Sequence, residues 1–431
     1  MKEREVVITG AGLVTSLGNS VEENWQNMSA MKTGISHYPK DDAPSFLTYA
    51  GKVRNFENPD DISPKQLSQM KFLNRGSLLG FASAREAVAQ CGIQMSNIPP
   101  ERRALYIGSG DFTKVGYDFM FQATKDGTGG KWEEMDYEKL NRSTLDKVNP
   151  FFLLESIYNN LFSFLSAYFE FMGPNSSLAS LSPCGGQAIE HAYRCIKQGK
   201  ADIAMAVGCC NWITELSLYE LEGLGILSKC RDGAGSFRPF DRARDGFIAG
   251  EGGAALFLES SETARERGAE PIGTIKGFGD CIEFSSGHGI EVPPEVSRRS
   301  MSMALHEAGI EAGELACIIP HGSGTRKGDR SELNSVLKVL GNKKQDVPVC
   351  GLKPYTGHMG AASDIAEIIF GLKAVKNGTV PATLNFNEAE NEFTDLRIAG
   401  TAQTCDKTHF VSVSYGIGGQ SSSAVVRTDK G

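Results

Sequence analysis

The feature that most constrains this chain is an alternation carried nearly end to end. Short apolar runs end in glycine-rich turns, and stretches with helically spaced apolar residues follow them. Strands are predicted over 5–8, 104–107, 177–181, 201–207 and 247–258, with helices over 21–31 and 74–91, and one carrying Ala188 to Ile196 that Gly199 suits as cap, between or beside them. After a polar, helix-forming stretch at 260–269 the outline recurs, with strands at 272–278, 317–320 and 410–414 and helices at 298–308 and 365–377. Strands alternating with helices predict an α/β protein with layered, buried sheets. The recurrence predicts two similar halves, 1–259 and 260–431. Residues 9–14 are predicted as the turn after the first strand. Gly10 and Gly12 there form a G-x-G, but Thr15 stands where a dinucleotide fingerprint needs its third glycine, so that motif is incomplete.

Composition narrows the function classes. The net charge of -8 is the wrong sign for a general nucleic-acid binder. The 10 cysteines are scattered without a C-x-x-C pair, which argues against zinc ribbons and redox motifs and fits a reducing, cytoplasmic setting. The amino terminus lacks the apolar core of a signal peptide. The aromatic-rich stretch 151–172 is interrupted by Glu155, Asn159, Asn160 and Glu170, which makes it a poor membrane span and a good core or subunit-interface helix, or the wall of an apolar tunnel. The polar segment 125–147 reads as a solvated surface loop with one short helix.

Three turns carry chemistry. His321 follows an apolar strand and precedes Gly322-Ser323-Gly324-Thr325, and His358 lies in a second glycine-rich turn close after Lys353. Small neighbours at both places let a substrate approach. The third turn, 182–186, joins a predicted strand to a predicted helix, and Ser182 and Cys184 compete there for the place of a nucleophile. At a helix amino terminus a thiol is expected to titrate low. A thiol, two histidines and a lysine suit acyl transfer from a thioester. Decarboxylation of a second carbonyl compound would follow, its enolate held by two imidazole N–H groups. Glu367 is a candidate partner for Lys353, and no metal is required.

The stretches 6–18, 173–202, 238–252, 321–332, 353–358 and 414–419, in this order and spacing, resemble the β-ketoacyl-[acyl carrier protein] synthases of the elongating type. The resemblance implies a thiolase-like five-layered αβαβα fold and a dimer, made with itself or with a sister ketosynthase subunit. It implies condensation of an acyl thioester with a malonyl thioester to give a 3-oxoacyl thioester and CO2, in fatty-acid or specialised lipid and polyketide synthesis. No cofactor is implied beyond the phosphopantetheine arm of an acyl carrier protein. His321, His358 and Lys353 take the catalytic positions, supported by Glu367, Asp329 and Glu332. Ser323 and Thr325 match the hydroxyls that hold the phosphopantetheine arm. The backbone N–H groups of Ser182 and Ile417 match the oxyanion hole, and Ile417 also occupies the acyl-pocket gate, where the family usually has Phe. Lys65, Lys71, Arg75, Lys229 and Arg231 fall near the docking region for the acidic carrier. The family's nucleophile is a cysteine. A gapless register puts Ser182 on that position, whereas a two-residue shift of the elbow puts Cys184 there. The departure leaves open a chain-length-setting partner subunit without the nucleophile, or a malonyl-carrier decarboxylase.

Overall fold

The computed structural model describes residues 4–38, 48–57, 59, 61–110, 117–150, 152, 160–285 and 292–428. Nine strands form its main sheet: β1 Val6–Val14, β2 Arg103–Ser109, β3 Asn175–Ala179, β4 Ile203–Asn211, β5 Glu251–Ser260, β6 Gly273–Ile282, β7 Leu315–Ile319, β8 His409–Tyr415 and β9 Gln420–Arg427. Their order is β3-β2-β4-β5-β1-β6-β9-β8-β7, so the strands of the two halves stay together and meet where β1 pairs β6. That junction is short, Val6 to Ile8 against Gly273 to Ile275.

Helices α1 Arg75–Cys91, α2 Cys184–Lys197, α3 Arg298–Ala308, α4 Arg326–Leu340 and α5 Ala361–Lys376 complete the layers. α1 packs on β1, β4 and β5, and α3 packs on β6 and β9, each covering an outer face. α2 and α5 touch each other, α2 lying against β2 and β4 and α5 against β4, β5 and β8. They are the middle layer, and α5 is buried nearly all round, as a helix packed on both sides must be. This is the five-layered thiolase-like arrangement.

The turn expected at 9–14 is instead part of β1. Its glycines serve packing. A Cβ on Gly10 would lie 2.1 Å from the Ala87 carbonyl, and one on Gly12 would lie 1.9 Å from that of Ser83. Helix α1 therefore presses on the strand at two points where no side chain fits. The segment 125–147 is more ordered than expected: two helices, Tyr117–Gly127 and Tyr137–Lys147, pack on each other, the second capped by Asp136. Part of the aromatic stretch, 151 and 153–159, lies outside the described residues. The rest includes the helix Asn160–Phe169, whose Phe164 sits edge-on against Phe81 of α1 at 4.9 Å between ring centres. Leu161, Phe164, Leu165, Phe169 and Phe171 are core, each stabilising the fold by about 1.5–3 kcal/mol.

Candidate active site

The carboxyl ends of β3, β7 and β8 and the amino ends of α2, α4 and α5 converge on one cavity of about 90 Å³. Its walls include Ser182, His321, His358, Ser323, Thr325 and Ile417.

His321 leaves β7, which β8 flanks in parallel. Its turn is fixed by carboxylates. Glu332 accepts the His321 and Gly322 amides at 2.6 and 2.8 Å, and Asp329 accepts those of Phe240 and Gly324 at 2.8 and 2.9 Å. Buried Arg244 approaches Asp329 at 3.4 Å and donates to the Asp241 and Arg326 carbonyls. Burial pushes Glu332 up to about 8 and also raises Asp329, against the pull of Arg244. Ser323 and Thr325 hydroxyls meet at 2.8 Å, and Tyr415 reaches Ser323 at 3.2 Å.

His358 belongs to the other half by sequence, yet its backbone is pinned to the amino-terminal half. Its amide donates to Ile248, and its carbonyl accepts from Gly250, both at 2.9 Å. Trp212 and Phe247 flank its ring at 4.7 and 4.8 Å between centres, and Tyr415 lies 4.5 Å from that of His321.

The two rings have defined protons. The Gly360 amide donates to His358 Nδ1 at 3.2 Å, so that nitrogen is an acceptor and Nε2 carries the hydrogen. An ammonium has only donors, so Lys353 Nζ, 3.4 Å from His321 Nδ1, assigns the same tautomer there. Burial, with the Lys353 charge, holds both imidazoles well below their usual range and therefore neutral. The two Nε2 atoms lie 3.2 Å apart. Both rings stand in the cavity wall, where their Nε2 edges are available to a substrate oxygen. Lys353 spends its remaining donors on Glu367 at 2.7 Å and the His321 carbonyl at 2.6 Å. Burial pushes Glu367 up to about 8 while the ammonium pulls it down.

Ser182 lies between β3 and α2, and the last loop comes close to it. A Cβ on Gly416 would stand 1.9 Å from the Ser182 carbonyl, so glycine is required for that approach. Cys184 is two residues on and does not line the cavity. Its Sγ is buried, 3.2 Å from the Ser180 carbonyl and 3.6 Å from that of Ser109. The expectation of a low-titrating thiol at this helix start fails. Burial, reinforced by the Asp364 carboxylate, pushes Cys184 up to about 12.

The basic positions divide. Lys65, Lys71 and Arg231 are exposed, and exposed Lys229 pairs with Glu222 at 2.6 Å. Arg75 is turned inward, its guanidinium 3.2 Å from buried Glu251 and 3.2 Å from the Val53 carbonyl. It is half-buried, and its charge is matched by Glu251 as that of Lys229 is by Glu222. A larger cleft of about 620 Å³ includes Arg75 and Glu251, but none of its lining residues is a histidine, cysteine or serine. Ser182, His321 and His358 instead line the smaller cavity.

The sequence reading missed Asp364. It reads there as one more polar residue at the start of a helix, and only the fold brings it to Ser182. It also missed the aromatic walls Trp212 and Tyr415.

A layered α/β fold with paired neutral histidines and a buried lysine at the meeting of its halves defines the thiolase-like condensing enzymes. The comparisons agree. The family description "Beta-ketoacyl synthase, N-terminal domain" matches residues 3–264, and "Beta-ketoacyl synthase, C-terminal domain" matches 274–387. The chain belongs to the beta-ketoacyl synthase family, acyltransferases of fatty-acid and polyketide synthesis. It is 30% identical to the 3-oxoacyl-[acyl-carrier-protein] synthase 2 of Coxiella burnetii over 99% of both chains. It is 28% identical to the Staphylococcus aureus protein of the same name, again over 99% of both. Among solved structures, a Beta-ketoacyl synthase from Burkholderia phymatum superposes with a TM-score of 0.81 at 24% identity, over 99% of this chain and 100% of that one. The ishigamide ketosynthase/chain length factor gives 0.83 at 23%, with the same coverage.

Proposed function

We propose that this chain carries out decarboxylative condensation, joining an acyl group held on Ser182 to a malonyl carrier thioester. The observation that supports it most is the pair of neutral imidazoles in the cavity wall, their Nε2 atoms 3.2 Å apart. A malonyl thioester whose carbonyl oxygen sits against them loses CO2 to leave an enolate, and the two donors stabilise the charge as it forms. Both rings are neutral and already oriented, so no proton need be moved to prepare them. Lys353 holds His321 and, through Glu367, keeps its own place. The enolate carbon attacks the acyl carbonyl, whose oxygen would lie against the backbone N–H groups of Ser182 and Ile417. The hydroxyls of Ser323 and Thr325 would hold the phosphopantetheine arm, and Ile417 would gate the acyl chain. Lys65, Lys71, Arg75, Lys229 and Arg231 would be the landing charges for an acidic carrier protein. A dimer, with a second copy or a sister ketosynthase, completes the proposal. Among the described residues no helix is long and apolar enough to cross a membrane.

The serine supports a second reading. A hydroxyl is a weak nucleophile beside a thiol, and a site that decarboxylates without accepting an acyl chain would serve as a malonyl-carrier decarboxylase or a partner subunit. Intact-mass analysis after exposure to a panel of acyl carrier thioesters separates these. An adduct retained in Cys184→Ala, lost in Ser182→Ala, and followed by a two-carbon-longer 3-oxo product with malonyl carrier thioester supports the condensing enzyme. CO2 release without any adduct indicates the decarboxylase, and neither indicates the partner subunit.

A further inference from the structure

We infer that Asp364 is the general base and acid for Ser182, taking the hydroxyl proton as Ser182 attacks a thioester and returning one when that oxygen departs. The inference rests on the reading of Ser182 as the acylated residue. Asp364 sits in the first turn of α5 and is buried with Ser182. Its Oδ1 accepts the Ser182 hydroxyl at 3.2 Å. Its Oδ2 is taken by the backbone amides of Gly185 and Gly186 at 3.1 and 3.4 Å. The carboxylate is thereby held by backbone, with Oδ1 turned to the hydroxyl. Ser182 has one hydrogen and spends it on Asp364, which leaves its lone pairs for the electrophile in the cavity.

The partners of Asp364 are a hydroxyl and two amides rather than a cation. Lys353 favours its ionised form, but the donors of that ammonium go to Glu367 and His321. Glu367, one turn along α5, and Cys184, at the start of α2, face the same carboxylate. Burial raises Asp364 to about 6, which keeps it mostly ionised and a usable base at neutral pH. A buried carboxylate costs stability unless it is well solvated by donors, and this one is aimed at the only hydroxyl of the elbow within the cavity.

In the first step the Ser182 Oγ–C bond forms, the thioester C–S bond breaks, and the proton passes by way of Asp364 to the departing thiolate. In the second, the enolate carbon bonds to the acyl carbon and the C–O bond breaks. The Ser182 alkoxide then takes a proton from Asp364, which draws it from solvent and so replaces the one that left with the thiol.

The test is single-turnover acylation followed by intact mass, on folded full-length variants checked by thermal melting. Asp364→Asn keeps the shape and should slow acylation by about 10²–10⁴-fold. The wild-type rate should climb as pH passes about 6 and then level, and the variant should be flat. In a Ser182→Cys background the same change should alter the rate less than about threefold or raise it, because a thiol needs no base and a neighbouring carboxylate disfavours thiolate. Equal rates with and without Asp364, or an equal loss in the cysteine background, would assign Asp364 a structural role and overturn the inference. A flat wild-type profile overturns it without any variant. Absence of a Ser182 adduct under all conditions overturns the underlying reading instead.

Discussion

The two walls of the cavity are built on opposite plans. On the histidine wall each supporting group has several partners: Lys353 makes three contacts, Glu332 takes two amides, and Asp329 takes two amides and a hydroxyl. On the elbow wall the Ser182 hydroxyl has Asp364 alone, and Pro183 offers the helix no side-chain cap. The difference separates two kinds of function. The donor pair must be rigid to be ready for an enolate, and rigidity comes from redundancy. As the proposed nucleophile, Ser182 would change bonding partners during turnover, and a single contact suits that.

The comparison can be broken most severely at Lys353. Lys353→Met leaves Glu367 buried without its cation and should cost about 3–5 kcal/mol of stability. The loss should be greater at pH 9 than at pH 6, since Glu367, raised by burial and no longer pulled down by the ammonium, is protonated at growing cost as pH rises. Denaturant melts at the two pH values check this. Next in size, His358→Ala removes one of the two donors and should lower CO2 release from malonyl carrier thioester by about 10²–10³-fold. Equal release by the variant would remove the donor pair from the mechanism. Smaller again, Cys184→Ala should cost about 1 kcal/mol and leave acylation in place, sharpening the contrast between a packed thiol and a working hydroxyl.

A separate effect is a pH slope. Glu332 titrates higher in the fold than in the unfolded chain, so the stability it contributes is complete at low pH and is lost as pH rises through about 8. Glu332→Gln should flatten that part of the stability curve between pH 5 and 9, read by urea unfolding.

What the sequence disclosed follows the same division. His321, His358, Lys353 and Glu367 lie in short motifs whose spacing reflects one turn or one helix face, and the fold brings them together as that spacing suggests. Asp364 and Ser182 are 182 positions apart, and nothing local couples them. The failures elsewhere are also failures of locality. Gly10 and Gly12 read as a turn because glycine permits one, whereas here it makes room for a helix on the far side of the strand. Polarity alone made 125–147 a loop, although the Asp136 cap and the contact between its two helices order it.

The burial of Cys184 has a chemical consequence. Thiol reagents and peroxides act on thiolates that they can reach, and this sulfur is neither ionised nor reachable. Of the 10 cysteines, all unbridged, Cys230, Cys281 and Cys405 are partly exposed, and none of these three is in the cavity wall. Catalysis by an oxygen nucleophile would therefore survive alkylation and oxidative stress that would silence a cysteine-dependent relative. The acyl group would wait as an oxygen ester, a less activated acyl donor than a thioester, so that resistance would come with slower turnover.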